Sequence, residues 1–170
     1  MPENPPALNY SNAEILRVLH SVRRIALVGA SPNWRRPSYF AMKYLLGKGY
    51  EILPVSPRCA GQDILGRRCY TSLAEVPAPI DMVDIFRNSE AAGQVTDEAI
   101  ALAPEKGIKV IWMQLGVRND AAAERAKAAG LTVIMDRCPK IEFGRLHAEL
   151  SWGGFNSGVI SSRRPRVNLS

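Results

Sequence analysis

Apolar positions along this chain come in two textures. Short unbroken runs alternate with longer stretches in which apolar residues recur every three or four positions. The runs at 24–28 (Arg-Ile-Ala-Leu-Val), 51–55, 81–86, 109–113 and 131–135 lack the strict alternation of a half-solvated strand. They predict strands covered on both faces. Between them the helical spacing returns. Ile15, Val18 and Leu19 follow a Ser11-x-x-Glu14 capping box and predict a helix over 12–21. Pro37 suits the first position of a second helix, carrying Phe40, Tyr44 and Leu45 and ended by Gly47 and Gly49. Ala92, Val95, Ala99 and Leu102 mark a helix over 90–103, and 119–129 is almost wholly strong helix formers before Gly130. Residues 56–71 look irregular, with a bent strand or hairpin within 64–70. Ser72-Leu73-Ala74-Glu75 repeats the capping-box pattern in what should be a single helical turn.

The resulting order, α-βα-βα-βα-βα-β, predicts an α/β fold: a doubly wound, mainly parallel five-stranded sheet with helices on both faces and right-handed crossovers. No repeat or linker divides the 170 residues. One domain is expected over 1–146, with an irregular tail over 147–170 carrying Gly153-Gly154 and Arg163-Arg164-Pro165-Arg166.

In such sheets ligands sit beyond the carboxyl ends of the strands. The first of those ends is Val28-Gly29-Ala30-Ser31-Pro32, followed by Arg35, Arg36 and the helix start at Pro37. Gly29 allows close backbone approach. A helix N-terminus offers free N–H groups and a favourable dipole to an anion. Ser31 and Ser38 add hydroxyls, and the two arginines add forks matched to phosphate. The stretch is built as a phosphate cradle.

Composition sharpens this picture. The apolar fraction of 46% supports a full core, and no run approaches the ~18–20 residues of a membrane span. The N-terminus lacks a signal peptide, so a cytoplasmic protein without membrane contact is expected. Three cysteines (Cys59, Cys69, Cys138) without a CxxC pair argue for reduced thiols rather than disulfides or a zinc site. The net charge of +6 is uneven: five arginines (Arg35, Arg36, Arg58, Arg67, Arg68) fall between 35 and 68, against only Glu51 and Asp63. That excess suits a polyphosphate ligand or, less specifically, nucleic acid. No RNP-like motif or recognition helix supports a specific nucleic-acid reader.

The dinucleotide fingerprint G-x-G-x-x-G is absent, because Ser31 and Trp34 stand at its second and third glycines. A nicotinamide site would also want an acid at the end of the second strand. Here Pro54-Val55-Ser56-Pro57-Arg58 stands there, with Glu51 at the wrong end of the strand. An arginine at that point suits an extra ribose phosphate, which NADP and coenzyme A both carry. The missing glycines weigh against NADP, so coenzyme A leads and an NADP-dependent oxidoreductase is the alternative.

Six segments then occur in order: Val28-Gly29-Ala30-Ser31-Pro32, Arg36-Pro37-Ser38, Pro54-Val55-Ser56-Pro57, Asp84-Ile85-Phe86-Arg87, Trp112-Met113-Gln114-Leu115-Gly116, and Met135 to Glu142. Together they resemble the small stand-alone coenzyme A-binding proteins of bacteria, which are similar to the Rossmann-like N-terminal domain of the succinyl-CoA synthetase alpha subunit. The resemblance spans about residues 10–146. Ser56 departs from it, since family members often have asparagine there. The resemblance implies that Gly29, Ala30, Ser31 and the helix start at Ser38 hold the pyrophosphate, with Arg35 or Arg36 on phosphate. Pro54, Val55, Ser56 and Arg58 would flank the adenosine and its 3′-phosphate. Phe86 and Arg87 would wall the adenine or pantetheine side, with Gln114 and Gly116 on the same edge. Cys138, Lys140 and Glu142 would face the thiol end.

No catalytic machinery or metal site is evident. The synthetase's phosphorylated histidine belongs to a domain this chain lacks, and His20 and His147 read as surface residues. Asp81 and Asp84, three apart on a strand, point to opposite faces and suggest caps or loop contacts. Trp34 and Trp112 suit packing, with purine stacking the other option. Cys138, between Arg137 and Lys140, should have a lowered thiol pKa and is a candidate for a mixed disulfide with coenzyme A. A homo-oligomer or a protein partner stays open.

Overall fold

Five strands, β1 (Arg24–Val28), β2 (Glu51–Val55), β5 (Met82–Ile85), β6 (Val110–Met113) and β7 (Thr132–Ile134), form one parallel sheet in the order β2-β1-β5-β6-β7. The computed structural model describes residues 4–147. The tail expected over 147–170 therefore falls outside the described residues except for His147. Counting only the strands of this sheet, the order is 2-1-3-4-5, one of the two common doubly wound arrangements. The direction of winding reverses after β2: the chain returns past β1 and pairs β5 on its other side.

Every one of the five strands is buried over most of its length, which explains the unbroken apolar runs. Side chains alternate between two cores. Ala26, Val28, Val83, Ile85, Ile111 and Met113 face α3 (Ser89–Lys106) and α4 (Asp120–Ala128). Ile25, Leu27, Ile52, Met82, Trp112 and Ile134 face α1 (Asn12–Ser21), α2 (Pro37–Gly47) and α5 (Pro139–Leu146). Each fully buried Leu, Ile or Phe contributes roughly 1.5–3 kcal/mol of transfer free energy. α3 and α4 meet the sheet through alanines, Ala92, Ala99, Ala122, Ala123 and Ala126, all sealed from solvent.

The helix boundaries follow from their caps. Ser11 Oγ accepts from the Glu14 N–H at 3.1 Å, as the capping box predicts. Asn88 and Asn119 cap α3 and α4 in the same way. α3 outruns its expected end at 103, because Pro104 lies in the last turn and Gly107 (φ +74°) closes the helix with a left-handed cap. The Ser72 box forms only in part. A 3-10 turn covers Leu73–Glu75, and Glu75 reaches back to the Thr71 N–H, but Ser72 makes no side-chain cap. The hairpin expected within 64–70 is present as β3 (Asp63–Ile64) and β4 (Arg67–Arg68). α5 carries no clear periodic signal, since the Pro139-Lys-Ile-Glu-Phe-Gly-Arg-Leu segment is short and holds a glycine. Pro139 starts it and the buried Phe143 anchors it. Among the described residues, no helix is long and apolar enough to cross a membrane.

At the carboxyl end of β1 the backbone turns at Gly29 with φ +92°. The Gly29 and Ala30 N–H groups both donate to the Val55 carbonyl, at 2.9 and 3.2 Å. A Cβ on Gly29 would lie 2.4 Å from the Phe86 carbonyl oxygen, so the ends of β1, β2 and β5 close against this one residue. Gly29→Ala should therefore destabilise the fold by at least about 2 kcal/mol, combining left-handed strain with a backbone clash. Chemical denaturation checks this, and a change below about 0.5 kcal/mol would contradict the geometry.

Candidate functional site

All five parallel strands deliver their carboxyl-end loops to one edge of the sheet, where they surround a cleft of about 990 Å3. The loop after β1 is largely self-supporting. Ser31 Oγ accepts from the Asn33 N–H, Asn33 Oδ1 accepts from the Arg35 N–H, and the Arg36 N–H donates to the Asn33 carbonyl. Ser31 thus uses its oxygen inside the loop and keeps its hydroxyl proton for a ligand. α2 begins without a side-chain cap. The Tyr39 and Phe40 N–H groups return to the Arg36 carbonyl, and that of Ser38 is left toward the cleft.

Gly29, Ala30, Ser31, Arg35, Arg36 and Ser38 all line the cleft. So do Ser56 and Arg58 from the loop after β2, and Phe86 and Arg87 from the end of β5. Gln114 joins them after β6, as do Cys138 and Lys140 around the start of α5. Four residues named from the sequence lie outside the lining. Pro54 and Val55 sit within β2, where their carbonyls are taken by Tyr70 and by Gly29 and Ala30. Gly116 forms a turn at φ +76°, its N–H donating to Asp136 Oδ1. Glu142, suggested beside the thiol end, is instead buried and paired with Arg145 at 2.6 Å, and is not among the cleft-lining residues.

Five cations line the cleft, Arg35, Arg36, Arg58, Arg87 and Lys140, and no Asp or Glu does. Among the described residues none of the four arginines is held in an ion pair. The charges point into solvent and the cleft, which gives an electropositive, anion-seeking cavity. The acid at the β2 start, Glu51, is engaged by Arg24 at 3.0 Å on the far edge of the sheet. Apolar residues share the lining in a way the sequence did not indicate. Phe40, Leu115 and Ile141 are each more than two-fifths exposed and rim the cleft. Trp34, the remaining large exposed hydrophobic among the described residues, stands on the same loop with Arg35 over its ring at 5.1 Å. Trp112 is a packing residue, fully buried, with Nε1 donating to the Arg137 carbonyl.

Among the described residues all three cysteines are free of disulfides. Cys59 and Cys69 are buried with their sulfurs 2.7 Å apart beneath the Ser56–Arg58 loop. Burial, then the shared hydrogen bond, pushes the Cys69 thiol up to about 12. Cys138 departs from expectation. Burial outweighs the backbone N–H groups and Lys140, and the nearby Asp84 charge adds to it, so its pKa is raised rather than lowered. That weakens the case for Cys138 as a reactive thiol. The histidines are not isolated on the surface either. His20 and His147 are half-buried with Nε2 atoms 2.9 Å apart, and His147 stacks on Phe143.

Asp81 and Asp84 do face apart. Asp81 Oδ2 accepts from the Arg23 and Arg24 N–H groups at 2.8 and 3.0 Å, the loop contact expected of it. Asp84 does not cap a loop. It is sealed within the sheet, where Gln114 Nε2 donates to its Oδ1 at 2.9 Å and Oδ2 has no partner among the described residues. Burial raises its pKa from 3.8 to about 7, against the lowering effect of Gln114. The sequence marks Asp84 only as a cap or loop contact, because spacing alone does not show which acid of the 81–86 run is sealed in the sheet.

Comparison with known proteins agrees with this geometry. A family model described as "CoA binding domain" matches residues 23–144. The uncharacterised protein YneT of Bacillus subtilis is 40% identical over 133 residues, 78% of this chain and 94% of its own length. The alpha subunit of an ADP-forming acetate–CoA ligase I from Pyrococcus furiosus is 33% identical over 100 residues. That alignment spans 56% of this chain and only 21% of the ligase subunit. Among solved structures, a hypothetical protein from Pyrococcus horikoshii superposes with TM-score 0.76 at 37% identity, over 86% of this chain and 99% of its own.

Two measurements check the electrostatics of the cleft. In the native protein Asp84 holds its proton up to about pH 7, while in the unfolded chain it ionises near 3.8. Stability from this group is intact below about pH 4 and is lost as pH rises toward 7, by up to about 4 kcal/mol. Asp84→Asn should therefore gain stability over wild type between about pH 4 and pH 8, and a difference that stays flat would contradict the assignment. Cys138 should alkylate with iodoacetamide at about pH 7 more slowly than a free cysteine, followed by peptide mass spectrometry. Labelling faster than free cysteine would mean that Lys140 and the backbone N–H groups outweigh burial at this thiol.

Proposed function

Because the chain belongs to the CoA-binding domain family, we propose that its cleft binds coenzyme A or an acyl-CoA, with the nucleotide end seated on the arginine-rich rim. The observation that carries this reading is a cleft with five cations and no carboxylate, at the point where the sheet reverses its winding. We assign the pyrophosphate to the Ser31 loop and the start of α2, where Ser31, Arg36 and Ser38 line the cleft and offer a hydroxyl, a guanidinium fork and a helix-start N–H suited to an anion. Arg58 takes the 3′-phosphate. The pantetheine arm then runs along the inner wall past Gln114 toward Cys138 and Lys140, over the apolar rim of Phe40, Leu115 and Ile141.

The protein acts as a binding module rather than a ligase in this reading. The acetate–CoA ligase subunit it resembles is about five times longer than the shared segment, so ligase activity does not transfer with the likeness. The family match favours coenzyme A over NADP, the other ligand compatible with Arg58.

Thermal-shift titration tests the proposal, since a ligand of the native state stabilises it by mass action. Coenzyme A should raise the Tm in a concentration-dependent manner and NADP should not. Arg36→Glu and Arg58→Glu should each weaken coenzyme A binding at least about tenfold, as charge-assisted hydrogen bonds are replaced by repulsion. Stabilisation by NADP alone would overturn the proposal.

A further inference from the structure

The inner wall of the cleft holds a group that phosphate binding does not use. Gln114, at the end of β6, is 6% exposed and lines the cleft. Its Nε2 donates to Asp84 Oδ1 at 2.9 Å. Asp84 stands one strand away in mid-sheet, paired in register with Leu27 of β1 and Trp112 of β6. It is fully buried, and its Oδ2 is the one buried side-chain oxygen or nitrogen without a hydrogen bond among the described residues. A half-satisfied carboxyl in an apolar sheet is unfavourable for stability. What it accomplishes in this position is local. An ionised carboxylate can only accept hydrogen bonds, so the Gln114 carboxamide must turn its NH2 group inward to Asp84 and leave its Oε1 for the cleft.

We propose that Asp84 is a positioning residue: by holding the Gln114 NH2 group it fixes a carbonyl acceptor on the cleft wall, which selects ligands carrying N–H donors at that depth, namely the amides of a pantetheine arm. This rests on the coenzyme A reading above. A protonated Asp84 is a donor as well as an acceptor, and it then permits Gln114 to reverse and show NH2 to the cleft. The burial that brings Asp84 to about 7 places that exchange near neutrality. Few other titratable groups face it. α5 brings the Cys138 thiol, raised first by its own burial and further by the Asp84 charge, with Lys140 acting in the opposite sense, and it carries the buried Glu142, which is held by Arg145. The buried face of α2 (Ser38, Ala41, Met42, Leu45) and that of α1 (Ile15, Val18, Leu19) bring none.

The test is calorimetric titration of wild type, Asp84→Asn and Gln114→Leu with coenzyme A and with adenosine 3′,5′-bisphosphate, which lacks the pantetheine arm, at about pH 5.5 and 8.5, on either side of the Asp84 titration. Comparing variants at one pH cancels the titration of the ligand's own phosphates. Wild-type affinity for coenzyme A relative to Asp84→Asn should rise about three- to tenfold from the lower pH to the higher, while the same ratio for the bisphosphate stays constant. Gln114→Leu should lose about three- to tenfold in coenzyme A affinity at the higher pH and nothing in bisphosphate affinity. A flat or falling ratio with both ligands bound overturns the role of Asp84 and leaves the coenzyme A reading standing. Failure of wild type to bind either ligand overturns that reading and the role of Asp84 with it. Should Asp84→Asn not fold, an unchanged coenzyme A affinity in Gln114→Leu is by itself sufficient to overturn the proposal.

Discussion

The convergence of three strand ends on Gly29 constrains everything built above it. Two successive N–H groups there share the Val55 carbonyl, and the glycine lies against the Phe86 carbonyl with no room for a side chain. The contact welds β1 to both neighbours at the point where the chain reverses its winding. The loops that leave β1, β2 and β5 must therefore diverge from nearly the same place, and the space between them is the cleft. In an open parallel sheet covered on both faces, ligands bind in the crevice outside the carboxyl ends of the strands.

The electrostatics follow from that architecture. Basic side chains cannot be buried in either of the two cores without partners, so they collect at the open edge, and the acids are placed elsewhere. Glu51 and Asp81 serve the amino end of the sheet, and Asp97, Asp120 and Glu124 pair with basic residues on the surface of α3 and α4. The cleft at the carboxyl edge is left with a one-sided field. On the proposed reading its apolar rim complements that field, because a coenzyme A molecule pairs a highly charged nucleotide with a long, weakly polar arm.

Much of this is legible in the residue pattern. Buried parallel strands announce themselves as unbroken apolar runs, and the caps at Ser11 and Gly130 mark helix ends with simple chemistry. The Gly29-Ala30-Ser31 turn and the Arg36-Pro37 start, both marked in the sequence as a ligand edge, do line the cleft. What stays hidden depends on distance rather than on spacing. The coupling of Asp84 to Gln114 joins residues 30 positions apart, and neither is unusual in its own segment. The upward shift of Cys138 reverses the expectation drawn from its sequence neighbours, because desolvation and a carboxyl from another strand outweigh the lysine two positions away. α5 escapes because its helical signal is one buried phenylalanine and a proline start, too little for a periodicity to show.

The loop after β1 keeps its shape through hydrogen bonds among Ser31, Asn33, Arg35 and Arg36, and the loop after β2 is fastened to its own hairpin by Ser56 and Tyr70. Both walls are thus ordered before anything enters. The conformational entropy that a floppy phosphate loop surrenders on meeting its anion has here already been given up in folding. On the proposed coenzyme A reading, association becomes the docking of a flexible molecule onto a stiff receptor, and most of the disorder left to lose belongs to the ligand's own arm.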